Sequence, residues 1–365
     1  MPREEIRIKS GCCHVFLAYD VAPYIDLQKC EERISAGWHR QTITRKGRAL
    51  EYFEYRPAPL VVVLDAQPLQ ISGFESYGSA ELVIYDFGAV SVTYTFPLAG
   101  PLQDVVRLSM AVYDNEQLKA DGRRLIGSMR EVLPDGAELN IASVVEDYVV
   151  FHVEEFEDNV APGDLVAVHA GRVAQILRAE SGSLSEQEVL DAVARNISFA
   201  DSDVAVLDWN AALLYGRGVD DLRTVVEFAN VQLLELRFLD RQLDAALEDS
   251  YALVSPRGGR WRNWLHSYRA DVRRVARYQV DGAILFERIS NALKVFGEEY
   301  LSRVYRLTAE RLQLAAWDAS ALRKLGTLES IYGKLTDEAT ARRLEILEWI
   351  IVLLIAVSIV LPFLI

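Results

Sequence analysis

Cysteine, glycine and proline are all scarce in this 365-residue chain, and each shortage excludes a class of protein. The three cysteines, Cys12, Cys13 and Cys30, are an odd number, so no disulfide framework is indicated and a reducing compartment fits. With 21 Gly and 11 Pro against 51% apolar residues, the bulk of the chain is neither disordered nor of low complexity. The composition predicts a folded protein of one large or two ordinary domains.

The sequence motifs of several enzyme classes are missing as well. The tripeptide at 216–218 lacks the third glycine of a dinucleotide fingerprint, and the Gly-Lys pair at 333–334 is followed by Leu335, where a phosphate-binding loop has Ser or Thr. The five histidines are scattered, and the adjacent Cys12 and Cys13 point to opposite faces of a strand, which does not suit metal binding. We therefore predict no catalytic residue, no cofactor and no metal, although catalytic groups assembled in space would leave no such motif.

Charge is distributed unevenly along the chain. The sum of 39 basic and 53 acidic side chains is −14, which argues against a protein that coats nucleic acid with its whole surface. Residues 349–365 carry no charged side chain, and such a run is long enough to span a bilayer. Because Arg342 and Arg343 precede the run, the positive-inside rule places the preceding chain in the cytoplasm.

These features predict a C-terminal transmembrane helix, a tail anchor over 347–365, in a single-pass protein of the bacterial inner membrane whose N-terminal domain is cytoplasmic. The residues predicted to form the membrane anchor are Trp349, Ile350, Ile351, Leu353 and Leu354.

The fold predicted for the rest of the chain is α+β. Short strands alternate with helices up to about residue 157, and ELVIYDFGAVSVTYTF reads as two strands joined at the turn of Asp86, Phe87 and Gly88. Ser185 and Glu188 form a capping box that begins a helix over 186–195. The predicted order is a mixed strand and helix module at 1–160, a helical region with a heptad helix at 161–255, an inserted or extended helical bundle at 256–343 and the membrane anchor.

Long helices dominate from residue 219 onward. Apolar residues between 222 and 254 follow alternating steps of four and three, with Asp240 in one of the gaps of this heptad seam. Such helices pack as an antiparallel bundle or as a coiled coil with another chain, so we expect intramolecular hairpins and a homo-oligomer. Arg237 and Asp240 are candidates for ion pairs that set the register of the helices.

A basic, aromatic segment at 256–278 contains seven Arg and one Asp. On a helix its Trp, Tyr and Val residues share one face, and basic residues lie beside them. Three interpretations stay open: the aromatic face packs in the bundle, the helix lies on anionic lipid, or the helix binds RNA phosphates. The residues predicted to contact an anionic partner are Arg262, Arg269, Arg273 and Arg277.

Five segments in order resemble a known family. They are YIDL at 24–27, DFG at 86–88, AQILRAE at 174–180, VLDWNAALLY at 206–215 with LELRFLDRQLD at 234–244, and LEWIIVLLIAVSIVL at 347–361. The chain is similar in these segments to the "required for meiotic nuclear division" (Sad-interacting factor) family, a domain of unknown function, of which it would be a bacterial member. It departs from the family in the extra helical stretch from about 250 to 340 and in Ser358, where the family tends to have an acid.

The resemblance implies a membrane-anchored, oligomeric, non-enzymatic protein; mitochondrial members of that family are tied to translation at the inner membrane. From these features we predict a scaffold or adaptor that is not an enzyme and that recruits an unidentified protein partner. The alternatives are a membrane tether for RNA or ribosomes through the Arg-rich helix, with nucleic acid not favoured, and an enzyme or ligand-binding module in the N-terminal half.

Overall fold

The computed structural model describes residues 6–35, 43–44, 57–132, 141–254 and 299–360. The described residues form two compact units. The first unit contains the chain up to Phe238 together with 299–316, and the second contains 239–254 together with 317–360.

Strands and helices are numbered in chain order. The strands are β1 (Arg7–Asp20), β2 (Ile43–Thr44), β3 (Leu60–Asp65), β4 (Gln70–Ile71), β5 (Phe74–Glu75), β6 (Ser79–Ile84), β7 (Ala89–Pro97), β8 (Gly100–Pro101), β9 (Val145–Phe156), β10 (Asn196–Ile197), β11 (Val204–Leu207) and β12 (Ala211–Tyr215). The α-helices are α1 (Leu27–Ser35), α2 (Leu102–Val112), α3 (Glu116–Ser128), α4 (Pro162–Ala167), α5 (Ala170–Arg178), α6 (Glu186–Val193), α7 (Asp220–Val254), α8 (Glu299–Arg311) and α9 (Leu314–Val360).

One large mixed sheet organises the first unit. Its strands lie in the order β10-β11-β12-β9-β1-β7-β6-β3-β2, and β8 pairs with the start of β1. Neighbouring strands are antiparallel except for β12 and β9, which are parallel. The central strand is β1, whose residues 12–20 pair with β7 on one side and whose residues 8–19 pair with β9 on the other.

Side chains alternate between the two faces of the sheet along each strand, and both faces are covered. Cys13, Val15, Leu17 and Tyr19 of β1 enter a core that they share with helices α2 to α5. Phe16, on the opposite face, is fully buried as well.

The first half of α7 covers this opposite face. Thr93 Oγ1 of β7 donates to Glu227 Oε1 at 3.2 Å, and the rings of Tyr85 and Phe228 lie 6.0 Å apart. The heptad seam predicted a helix that packs on other helices; here the sheet and α8 share its burial.

The turn between β6 and β7 forms where the sequence places it, at Asp86, Phe87 and Gly88. Gly88 has a φ of 101°, and a Cβ at this position would overlap the carbonyl oxygen of Ala22. The Gly88 carbonyl in turn accepts a hydrogen bond from Val21 N at 2.9 Å. Glycine is therefore required both by the turn and by the chain that packs against it.

The second unit contains a pair of helices. Leu239, Leu243 and Ala246 of α7 cluster with residues of α9. The α9 residues in this cluster are Ala321, Leu325, Leu328 and Tyr332. Beside the apolar cluster, Lys324 Nζ lies 2.7 Å from Asp240 Oδ1 and 2.6 Å from Asp244 Oδ1.

The structure corrects the prediction of a membrane anchor. Across residues 6–35, 57–132, 141–254 and 299–360, no helix combines the length and the apolar character needed to cross a membrane. The transmembrane tail anchor and the single-pass location in the bacterial inner membrane are therefore wrong. The predicted anchor residues Trp349, Ile350, Ile351, Leu353 and Leu354 lie exposed on α9.

Candidate functional site: a polar groove on the sheet

A groove of about 430 Å³ opens on the face of the sheet that α7 covers, beside the first residue of that helix. Strands β1 and β9 supply its floor, and the segment from β12 to α7 supplies its wall. The lining residues are Ser10, Cys12, His14, His152, Glu154, Glu155, Arg217, Gly218 and Asp220.

Strand register brings the thiol and imidazole groups together. Cys12 of β1 lies directly opposite His152 of β9. His14 lies two residues beyond Cys12, and Glu154 two residues beyond His152, so all four share one face. The pairing is irregular just before Cys12, and at Gly11 a Cβ would run into the carbonyl oxygen of His152. A glycine therefore lets the two strands approach at this end of the groove.

Hydrogen bonds orient both imidazole rings. His152 Nε2 lies 2.9 Å from the carbonyl oxygen of Gly216. Because a carbonyl only accepts, Nε2 carries the hydrogen, and in the neutral ring Nδ1 is left as an acceptor. His14 Nδ1 lies 3.1 Å from Thr95 Oγ1. Gly216 has a φ of 130° and its Cβ would lie 2.9 Å from Asp203 Cβ, so this carbonyl position depends on glycine.

The thiol of Cys12 is half-buried, and its Sγ lies 3.9 Å from the hydroxyl oxygen of Tyr77. Burial raises the pKa of Cys12 above its usual value, and the contact with Tyr77 lowers it. The charges of Glu154 and Asp220 raise this pKa, and the charge of Arg223 lowers it. Since nucleophilic attack by cysteine requires the thiolate, Cys12 is not activated in this groove.

Negative charge predominates at the rim of the groove. Glu154 and Asp220 are exposed carboxylates that line it. Arg217 Nη2 lies 3.4 Å from Glu155 Oε2, and Lys9 Nζ lies 3.1 Å from Glu155 Oε1. The Lys9 ammonium and, to a smaller degree, Arg217 lower the pKa of Glu155. Lys9 and Arg217 thus compensate the charge of Glu155, and Glu154 and Asp220 add two further negative charges to the lining.

The groove contains Cys, His and Glu side chains, which are the usual ligands of transition metals. Among the residues that the structure describes, no group of three or more His, Cys, Asp or Glu side chains is arranged to hold a metal ion.

A second groove, of about 620 Å³, lies beside the start of α5. Its polar groups are largely bonded to one another: Arg172 Nη1 donates to Gln175 Oε1 at 2.8 Å, and Gln175 Nε2 donates to the Gly182 carbonyl oxygen at 2.8 Å. These bonds hold the loop after α5 in place and leave few side-chain groups that could form hydrogen bonds with a ligand.

A charge cluster around Asp208 joins four elements of the first unit. The buried carboxylate of Asp208 accepts from Arg178 Nε and from Arg311 Nε, each at 2.6 Å. The same two guanidinium groups bind Asp191 of α6 at 2.7 and 2.6 Å. The backbone N–H of Trp209 also donates to Asp208 at 2.8 Å. This cluster ties α5, α6, α8 and the turn between β11 and β12 together, which is a structural role.

The residues predicted to set helix register have separate partners. Arg237 Nη1 contacts both carboxylate oxygens of Glu146, at 2.9 and 2.7 Å, which fastens α7 to β9. Asp240 pairs with Lys324 and accepts from Ser320 Oγ at 3.2 Å. The predicted anionic-partner residues Arg262, Arg269, Arg273 and Arg277 lie outside the described residues.

The groove itself was missed at the level of sequence. Cys12 and His14 of β1 are more than 130 residues from His152 and Glu154 of β9 along the chain. The available signal was the period of two, Cys12 with His14 and His152 with Glu154, in two segments that both predict strands.

Comparison with known proteins identifies the family of this chain. Residues 10–221 match the family model described as "Uncharacterized protein MJ0711, N-terminal domain". The chain is 21% identical to uncharacterized protein MJ0711 of Methanocaldococcus jannaschii over 224 residues, which cover 61% of this chain and 67% of that protein. No solved structure matches the chain. The predicted membership of the "required for meiotic nuclear division" family is wrong, since the match is to an uncharacterized archaeal protein family and nothing in it points to the other.

Proposed function

Because the chain belongs to the family of the N-terminal domain of uncharacterized protein MJ0711, and the matched residues 10–221 include every residue that lines the groove, we propose that the α+β unit is a ligand-binding module with this groove as its site. The observation that carries the proposal is the convergence of Cys12, His14, His152, Glu154 and Asp220 from three separate segments on one concave surface. Concave sites with a few converging polar groups are the usual form of small-molecule sites.

The chemistry of the lining favours a small organic cation. Glu154 and Asp220 only accept hydrogen bonds when ionised, and Nδ1 of neutral His152 is a further acceptor. Among the residues that line the groove, the three carboxylates of Glu154, Glu155 and Asp220 outnumber the one guanidinium group, that of Arg217. A ligand that supplies N–H donors and positive charge, such as an amine or a guanidinium, complements these groups.

The expected affinity is modest. An exposed ion pair contributes only about 0.2–1 kcal/mol and association costs entropy, so we expect a Kd of about 1 mM or weaker. Because the carboxylates are exposed, salt weakens the binding.

Calorimetric titration of the full chain with 1,4-diaminobutane tests the proposal. Glu154→Gln should weaken binding by up to about fivefold, because an exposed charge contact of at most about 1 kcal/mol is lost. Glu75→Gln, at an exposed carboxylate on β5 that does not line the groove, is the matched control and should bind like the wild type. Equal loss in both variants, or binding of acetate in place of the diamine, would refute the assignment.

The scaffold or adaptor role predicted from the sequence is a second candidate, without a membrane anchor. The observation that favours it is the exposed apolar end of α9, since exposed apolar surface of this extent marks a contact with another molecule. Both roles are compatible, because the groove lies in the first unit and the apolar segment in the second.

A further inference from the structure

The groove on the sheet is lined by charged side chains of both signs. These side chains are Glu154, Glu155, Asp220 and Arg217. Lys9 Nζ lies 3.1 Å from Glu155 Oε1, so the charge of Glu155 is compensated by a residue that does not line the groove. A ligand in the groove therefore meets two carboxylates, those of Glu154 and Asp220, and one guanidinium group, that of Arg217.

A β-bulge brings neighbouring carboxylates of β9 to the same groove. Ser10 pairs with Glu155 and Gly11 pairs with Val153, so Glu154 is an extra residue in β9 opposite β1. On a regular strand adjacent side chains point to opposite faces, whereas here Glu154 and Glu155 both line the groove. Bulges are common next to active sites, because they re-aim a side chain.

The backbone just before Arg217 is fixed, while the Arg217 side chain extends into solvent. Gly216 N donates to the Val153 carbonyl oxygen at 3.1 Å, and the Gly216 carbonyl oxygen accepts from His152 Nε2 at 2.9 Å. The Arg217 side chain is 81% exposed, and its Nη2 lies 3.4 Å from Glu155 Oε2, which is long for a hydrogen bond. This guanidinium group is therefore held at the groove by its backbone and only weakly by a side-chain partner.

Arg217 differs in this respect from the arginines that hold the fold together. The side chains of Arg178 and Arg311 are 15% and 17% exposed, and they contact carboxylates at 2.6–2.7 Å. Arg217 can leave Glu155 without leaving that carboxylate uncompensated, because Lys9 remains beside it. Its planar guanidinium group presents donors that match a carboxylate in two parallel hydrogen bonds.

We propose that the ligand of the groove is a basic amino acid, whose two cationic groups bind Glu154 and Asp220 and whose carboxylate binds Arg217. Two negative side chains and one positive side chain complement a molecule with two positive groups and one negative group. The groove, at about 430 Å³, has the size of a small-molecule site. This inference rests on the proposed binding function of the groove and adds the chemical class of its ligand.

Calorimetric titration of the full chain with L-ornithine and with 1,4-diaminobutane tests the inference, because 1,4-diaminobutane is ornithine without its carboxylate. The wild type should bind ornithine up to about fivefold more tightly than the diamine, which is the contribution of one exposed ion pair. General attraction to a chain of net charge −14 gives the opposite order, since the diamine carries the larger positive charge.

Arg217→Gln should remove the preference for ornithine and should bind the diamine at least as tightly as the wild type, because a like charge leaves the lining. Arg107→Gln is the matched control and should keep the wild-type preference. This substitution removes the same charge from an exposed arginine of α2 that does not line the groove.

Three results would overturn the inference and leave the proposed binding function intact. They are a wild type that binds the diamine as tightly as ornithine or more tightly, a preference for ornithine that persists in Arg217→Gln, and a preference that is lost equally in Arg107→Gln. If the wild type binds neither compound at up to about 20 mM, the binding function of the groove fails together with the inference.

Discussion

Replacing Asp208 by Asn removes a buried negative charge that two arginines share. The carboxylate accepts from Arg178 and Arg311 at 2.6 Å each, and its side chain has no exposure to solvent. The Asn side chain keeps one acceptor oxygen, but its NH₂ group faces the N–H group of one arginine. One strong hydrogen bond is therefore lost, and two hydrogen-bond donors are brought face to face.

The stability lost in Asp208→Asn depends on which other acidic groups surround the two arginines. Breaking a buried ion pair from one side costs about 3–5 kcal/mol. Asp191 and Glu188 still compensate Arg178, and Asp191 still compensates Arg311. We therefore expect the lower end, about 3 kcal/mol of lost stability, which is roughly a 100-fold increase in the opening equilibrium of the region.

Native-state hydrogen exchange measured by mass spectrometry is the suitable assay, because a chain of two units need not unfold in a single step. Amides of β11 and β12 should lose protection about 100-fold in Asp208→Asn. The control is Asp201→Asn, the same substitution at an exposed position of the same unit, which should change stability by less than about 0.5 kcal/mol. A change below about 1 kcal/mol in Asp208→Asn would show that the arginines do not need this carboxylate, and the structural role given to the cluster would fail.

Two further predictions concern the backbone and pH. Gly88→Ala should lower the free energy of unfolding in urea by more than about 3 kcal/mol, since the new Cβ overlaps the Ala22 carbonyl oxygen. Gly127→Ala on α3 places its Cβ in open space and should be neutral or stabilising. Equal urea midpoints for the two variants would contradict this. Burial raises the pKa of Asp20 to about 7, so the folded chain binds this proton more tightly and stability is lost as pH rises from 3.8 through 7. Asp20→Asn should therefore match the wild type near pH 4 and exceed it at pH 8 by up to about 4 kcal/mol; an unchanged pH profile of thermal unfolding would count against it.

Local patterns predicted the local parts of the fold. PLVVVLD forms β3, YVVFHVEEF lies in β9, and Ser185 caps α6 by accepting from Glu188 N at 3.2 Å. The hydrophobic period of 101–132 is helical throughout, yet the structure has two helices here, because Asp114 has a φ of 46° and Asn115 caps a new start by accepting from Leu118 N. A single left-handed residue leaves no signal in hydrophobic periodicity.

The misread features all depend on residues distant in sequence. The first half of the apolar stripe of α7 packs on the sheet, whereas the second half, around Leu243, packs on helix α9. The groove required the register between β1 and β9, which no single segment encodes. The apolar run near residue 350 reads as a membrane span, yet no helix among the described residues is long and apolar enough to be one.

The central position of β1 has a consequence for synthesis on the ribosome. This strand is synthesised before its neighbours, since β7 follows some 70 residues later and β9 some 130 residues later. At about 5–20 residues per second, β1 waits roughly 6 to 26 s for β9, with one edge unpaired even after β7 has docked. An open edge on an apolar strand is a site of mispairing between nascent chains. The order of the strands thus leaves β1 open to mispairing during translation, and pairing over such distances favours slow refolding.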